Sequence, residues 1–471
     1  MRKTGLELFR IPADVLVVVD YAETQPGRLE RIFELLEEPR PVGARRRLLL
    51  LARSPEQWWE ELCRRVSDPL AALLYDATYE LPALFEQGAD RQREFLTAVA
   101  AFAAAGGYRT GGLVPPAGLG DERFAHALTL HMTALAALLD CQWEQQASTT
   151  PARLDPVARV LDHEQRYWAD AAQAEHLPHA RQRLLDAVMA AATCCGAASR
   201  DEAVRVLSAL PDLAGEHVRV LGRYADWAHQ LHPGDGWLNP LEPDLLGEYF
   251  VARTLRNQQD LAVALAHGAR RKEQQLQLVT VLARAASQNG DMRAVTTQVL
   301  AAGTDELWLA GAMLAAYLPQ PSVLTEPLLD TLAKVDSAEI LWAAAREIAS
   351  SHRVSELKIA AASEALHRYR ALPDHKLARE ADLLDALASG LFYAGRDDEA
   401  VEVLREVVGL YARLARQDPT GHTLNFARAM INYGEQLAAA DEGKKALDLA
   451  KQVTDLSLKG ESPGVMRRVG G

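Results

Sequence analysis

Two short apolar runs near the start of this chain constrain its fold more than any other feature. Val15-Leu16-Val17-Val18-Val19 and Leu48-Leu49-Leu50-Leu51 are continuous rather than alternating, the pattern of parallel strands buried on both faces. Between them, Pro26-Gly27 marks a turn. Leu29, Ile32, Phe33 and Leu36 then line one side of a short helix over 29–38, which Pro39 and Pro41 end. Arg45-Arg46-Arg47 reads as a solvated turn ahead of the second strand. Ser54 caps a following helix, with Pro55 at its first position and Gln57 completing a capping box. Strand, helix, strand, helix implies a parallel sheet.

Beyond Pro69 no strand signal recurs. Leu81, Leu84, Phe85, Phe95, Val99 and Phe102 fall at helical spacing over 76–105. A glycine-rich break runs from Gly106-Gly107 to Gly120, and a helix follows over 124–143. Residues 146–156 read as a linker. Several short helices then occupy 157–260, interrupted at Pro211, Pro233 and Pro240, and helical pairs continue from about 255 to the end. Alanine and leucine dominate and aromatic content is only 6%, which suits helices better than β-sandwiches. At 471 residues the chain is long enough for several cores. The expected architecture is mostly α: a small partial α/β segment over 1–75, a helical segment over 76–150, a helical module over 151–260 and helical repeats over 261–471.

The repeat is visible at the C-terminal end. Residues 386–400 echo 432–446, so that Leu387 matches Tyr433, Leu391 matches Leu437 and Ala400 matches Ala446, each 46 apart. Leu341 lies a further 46 back in a weaker match. Each unit puts a small residue where two antiparallel helices touch, with a turn at Gly395-Arg396-Asp397-Asp398. This is a tetratricopeptide-like pattern with a longer period than the usual ~34 and without its tryptophan. The added length implies extended helices, the second running through 404–415 to a stop at Asp418-Pro419.

Net charge is −13, which argues against general binding to nucleic acid or anionic membranes. No apolar run approaches the roughly 18 residues of a membrane span, and Met1-Arg2-Lys3-Thr4 lacks the apolar stretch of a signal peptide. Cys63, Cys141, Cys194 and Cys195 show neither C-x-x-C spacing nor a disulfide framework, so a reducing cytoplasm is expected.

Candidate chemistry sits at the ends of the two apolar runs. Asp20 would emerge at the carboxyl edge of the sheet, where α/β folds bind ligands, and would hold Mg²⁺ through water. Glu23 could orient an attacking water, and Arg53, ending the next strand, could reach a γ-phosphate. The plain alternative is a strand end, a turn cap and a surface ion pair. A phosphate loop is missing: no G-x-x-x-x-G-K-[S/T] occurs, and Gly443-Lys444 has Ala438 where the first glycine would stand.

Other constellations are weaker. His176-x-x-His179 straddles Pro178 without a third ligand, His126 and His131 do not share a helix face, and Ser54 and Ser199 lack a nucleophile elbow. Asp155 and Asp162-His163-Glu164 read as a helix cap and surface charge.

Val15–Glu23 followed by Leu48–Ser54 resembles the Walker B and sensor segments of the signal-transduction ATPases with numerous domains, the STAND class that includes NACHT and NB-ARC proteins. Trp58-Trp59, the segments 79–84, 161–168 and 240–248, and the C-terminal repeats resemble its actinobacterial branch. The resemblance implies a nucleotide domain, a helical lid, a winged-helix-like module and a repeat array, with Mg·ATP as cofactor in intact relatives. On this reading Asp20, Glu23 and Arg53 are remnants, because the phosphate loop and its flanking strands are absent from the chain. About eight lost phosphate contacts at roughly 1 kcal/mol each remove as much as a micromolar affinity contains, so no cofactor is expected for this chain alone. The partner expected is a protein held by the repeats, with self-association left open. The competing reading is a helical-repeat scaffold with no nucleotide role. DNA binding through 157–250 is disfavoured by the acidic balance.

Overall fold

The computed structural model describes residues 13–20, 22, 26–37, 45–52, 79–82, 88–143, 155–373 and 376–439, with the single positions 59, 63, 66, 70 and 74 between them. Among these the chain is mostly helical, with one two-stranded sheet. The described residues divide between two compact units, 63–295 and 1–62 with 296–471.

The sheet is the parallel pair expected from the two apolar runs. Strand β1 (Val15–Val19) lies beside β2 (Arg46–Leu50), with Val15 opposite Arg46 and Val19 opposite Leu50. Helix Pro26–Glu37 crosses between them and buries Leu29, Ile32, Phe33 and Leu35. Two expectations need correction. The strands are not buried on both faces: Leu16 is 61% exposed and Leu49 46%, with Val18 and Leu51 also open. Among the described elements one helix serves the pair, and alternate strand residues necessarily point away from it. Arg46 and Arg47 do not form a turn either. They belong to β2, and the Arg46 guanidinium donates to the Leu35 carbonyl at 2.9 Å, tying strand to helix.

In the unit 63–295, helix Gly88–Gly106 packs against helix Ala127–Trp143 around Phe95, Val99, Leu119, Phe124, Leu130 and Leu138. The first of these helices starts later than its apolar spacing suggests. Tyr79-Glu80-Leu81-Pro82 is not helical, and Leu81 stands 77% exposed. The break between the helices is a loop in which Gly107, Gly111, Gly112 and Gly118 all have positive φ, conformations only glycine adopts freely. Buried Arg91 closes that loop by donating to the carbonyls of Gly120 (2.9 Å) and Asp121 (2.8 Å).

The rest of this unit is built around helix Gln182–Cys194, buried along nearly its whole length from Leu184 onward. Around it lie helices Pro156–Ala174, Arg200–Leu207, Val218–Leu231, Asp244–Asn257, Gln259–Gly268 and Lys272–Gln288. Asp155 caps the first of these by accepting from the Val157 amide at 3.0 Å, with Pro156 in the first turn. Ser199 caps the helix that begins at Arg200. Beyond the two strands, the described residues add one antiparallel bridge, Ala197 with Leu238.

In the other unit, helices Ala338–Glu347, Ser355–Arg370, Leu377–Tyr393, Asp397–Gln417 and Pro419–Ala439 pack each on the next. Small residues set the spacing. A Cβ added to Gly390 would stand 2.9 Å from the Ile359 side chain and 3.3 Å from its backbone nitrogen, so helices 355–370 and 377–393 approach closely there. Gly395, at φ +71, ends the latter helix. The helix after it runs to Gln417 and stops at Asp418-Pro419.

Candidate functional site

Of the three residues expected to form a nucleotide edge, the structure places one. Asp20 follows Val19 at the carboxyl end of β1 and is exposed. Glu23 and Arg53 lie outside the described residues. No trio of His, Cys, Asp and Glu side chains able to hold a metal occurs among the described residues. The repeat-packing residues are better placed. Ala400 and Leu437 are fully buried, Leu391 is buried, and Leu387 and Tyr433 are half-buried. Arg405 donates to the Tyr433 hydroxyl at 3.3 Å, joining helices 397–417 and 419–439. Ala446 lies outside the described residues.

The densest polar cluster of the unit 63–295 was not expected from sequence. Asp162-His163-Glu164, read there as surface charge, belongs to a hub on helix 156–174. His163 is buried and its Nε2 lies 2.7 Å from Asp140 Oδ1 on helix 127–143, while Arg159 Nε donates to Asp140 Oδ2 at 2.9 Å. On the other side, Arg253 of helix 244–257 donates to Asp162 (2.9 Å) and to Gln165 Oε1 (2.9 Å). Gln165 in turn donates to Asp186 of helix 182–194 at 2.8 Å. One helix thus reaches three others through hydrogen-bonded charge. Burial pushes the Asp140 carboxyl up, but the bonds from His163 and Arg159 outweigh it and hold the group below its ordinary value. Glu164 and Asp186 go the other way: burial raises both, only partly offset for Asp186 by the bonds from Gln182 and Gln165. The sequence signal for this hub was weak because its pairs are long-range; Asp162 and Arg253 are 91 residues apart.

A recess of about 390 Å³ adjoins the start of the same helix, lined by Arg123, Phe124, Thr129, Asp155, Pro156, Val157 and Leu245. His176 and His179, weighed above as a metal pair, occupy positive-φ positions in the turn after helix 156–174. Arg223 holds that turn by donating to the Glu175 and His176 carbonyls, and the Tyr224 hydroxyl donates to the Pro178 carbonyl at 2.6 Å.

A second polar chain runs through the helical stack. Helix 377–393 presents Asp382, Asp385 and Ser389 along one side. Asp382 accepts from the Tyr411 hydroxyl at 2.5 Å, Asp385 accepts from Asn432 at 3.4 Å with Arg428 at 3.8 Å, and Ser389 pairs with Ser350 at 2.8 Å. Buried Lys358 donates to Ser350 and to the Ile348 carbonyl. Burial raises the Asp385 carboxyl, with the Asp382 charge adding to it and Arg428, Asn432 and Lys358 opposing. A carboxyl raised on folding binds its proton more tightly in the folded state, so stability falls as pH rises through that raised value. Asp385→Asn, a fixed neutral stand-in, is therefore expected to raise the thermal midpoint near pH 7 and to flatten its pH dependence above the normal carboxylate range. A midpoint lowered by this substitution would show that the Arg428 contact outweighs burial.

No family model, curated protein or solved structure matches this chain.

Proposed function

We propose that this chain is a regulatory and protein-interaction module of STAND type: a remnant nucleotide edge, a helical lid, a winged-helix-like module and a tetratricopeptide-like array that holds a protein partner. The observation that carries this reading is the helical stack over 338–439. Gly390 stands at a close approach of two of its helices and Ala400 is fully buried in the next, and Leu391 and Leu437, 46 residues apart, are both buried on helices 377–393 and 419–439. Stacked helical units of this kind present extended surfaces suited to polypeptide partners. The parallel β1–β2 pair with Asp20 at its carboxyl end supports the nucleotide-edge part. The order helix 182–194, bridge residue Ala197, helices 200–207 and 218–231, bridge residue Leu238 supports the winged-helix-like part. Cytoplasmic residence is part of the same reading, supported by the free cysteines Cys63, Cys141, Cys194 and Cys195. Burial pushes the Cys195 thiol up to about 12, so it is not a reactive thiolate. Among the described residues no helix is long and apolar enough to cross a membrane.

The nucleotide edge is tested by titrating the full chain with Mg·ATP in a calorimeter. No binding heat is expected up to about 1 mM, the range where a site stripped of its phosphate contacts falls. Micromolar binding that Asp20→Ala abolishes would overturn the remnant reading. A plain scaffold with no nucleotide history shares every feature of the stack. It gains ground if partner binding is indifferent to ATP even after a phosphate-loop segment is supplied in trans.

A further inference from the structure

Within the helical stack, two guanidinium groups lie over one indole. The Arg346 guanidinium carbon is 4.6 Å from the Trp342 ring centre and that of Arg379 is 4.3 Å. Both distances fall within cation–π range. Trp342 and Arg346 are one turn apart on helix 338–347, while Arg379 comes from the first turn of helix 377–393. Arg379 also lies 5.7 Å from the ring of buried Tyr369. That ring is held in turn: the Lys376 amide donates to the Tyr369 hydroxyl at 2.6 Å. The aromatic platform is therefore rigid and assembled from three helices.

The two arginines of this platform are not paired alike. Arg379 pairs with Glu339. Elsewhere in the stack Arg368, Arg370, Arg396, Arg405 and Arg428 each face a carboxylate. Arg346 is exposed, and no described carboxylate or carbonyl accepts from it; its contact is the indole face. A guanidinium over an aromatic face still has N–H donors to offer, and a carboxylate can take two at once. Tryptophan, tyrosine and arginine are also the residues that dominate protein interfaces.

We infer that the Trp342–Arg346–Arg379 platform is a docking surface for an acidic peptide segment of a partner protein, with Arg346 as the group that pairs with an incoming carboxylate. Charge complementarity selects the partner: Arg346 is an exposed guanidinium that no described carboxylate pairs with, and on a chain whose net charge is −13 an acidic segment is held by such a local pair and not by the overall field. This deepens the protein-interaction reading above and rests on it.

The test is fluorescence anisotropy of a labelled Glu/Asp-rich peptide of about ten residues, a length that spans one such surface, with the full chain. Binding is expected to weaken as salt is raised. Arg346→Glu should reduce affinity at least roughly tenfold, as reversal of an interfacial charge does. Arg346→Lys should fall between, because it keeps the charge and loses the planar fork. Arg93→Glu, an exposed arginine of the other unit, serves as the control and should leave affinity unchanged. Circular dichroism checks that Arg346→Glu leaves the helices intact. Absence of peptide binding, equal binding by Arg346→Glu, or tighter binding of a single-stranded oligonucleotide of like charge each overturns the inference. If binding survives Arg346→Glu but is lost in Ala400→Trp at a urea concentration that unfolds the variant's stack and not the parent's, this surface is wrong and the protein-interaction reading stands.

Discussion

Ala400→Trp should unfold the C-terminal helical stack at a denaturant concentration well below that of the parent chain. Ala400 is fully buried in the first turn of helix 397–417, which packs against helix 377–393 on one side and helix 419–439 on the other. An indole has no space there. Overpacking by a few methylenes costs about 1–3 kcal/mol, and a tryptophan exceeds that, so a loss of at least about 3 kcal/mol is expected. Against the roughly 5–15 kcal/mol that holds a typical domain together, this removes a fifth or more of the margin and lowers the unfolding midpoint clearly. Glu399→Trp is the matched control. Glu399, next to Ala400, is exposed and contributes a surface pair with Arg396, of the kind that adds little to stability. Urea unfolding followed by far-ultraviolet dichroism measures both. If the two variants lose equal stability, Ala400 is not at a tight helix contact, and the repeat reading loses its best support.

Trp168→Ala should destabilise the other unit by about 3–5 kcal/mol, the usual cost of deleting a buried large aromatic. Trp168 is fully buried on helix 156–174, edge-on to Phe250 at 5.3 Å and to His232 at 6.3 Å. It therefore joins helix 156–174 to helix 244–257 and to the segment after helix 218–231. Trp168→Phe keeps most of the apolar contact and is expected to recover part of the loss. Because the chain contains two compact units, its melting is not expected to be a single all-or-none step. Trp168→Ala should shift the transition of residues 63–295, and Ala400→Trp should shift that of the stack, with limited proteolysis assigning each. A single transition moved equally by both variants would mean that the two units melt as one body.

Some of this architecture was readable before any coordinates. The parallel pairing of β1 and β2 follows from two continuous apolar runs separated by one helix. The stop at Asp418-Pro419, the glycine break over 106–120 and the cap at Asp155 follow from side chains acting on their own backbone within a few residues. The 46-residue echo placed a turn at Gly395, where helix 377–393 ends. Other features were misread, most of them because they depend on groups far away in the chain. Tyr79–Leu84 has helical apolar spacing, yet its described residues 79–82 are non-helical and expose Tyr79 and Leu81. Asp162-His163-Glu164 looks like solvated charge until Asp140 and Arg253 are brought against it. Arg46 and Arg47 look like a turn, but β1 offers their backbone a parallel partner, and ladder bonds outweigh a weak preference of charged residues against strands.

From its residue order alone, then, this chain specified its helical class, a few of its helix ends and the neighbouring strands, because those outcomes rest on local hydrogen bonds and short-range periodicity. Three-dimensional packing settled which face of the sheet stays open, which charges are buried and paired, and how two arginines come to share one tryptophan. Each of these requires side chains tens of residues apart to meet, and no local pattern records that meeting.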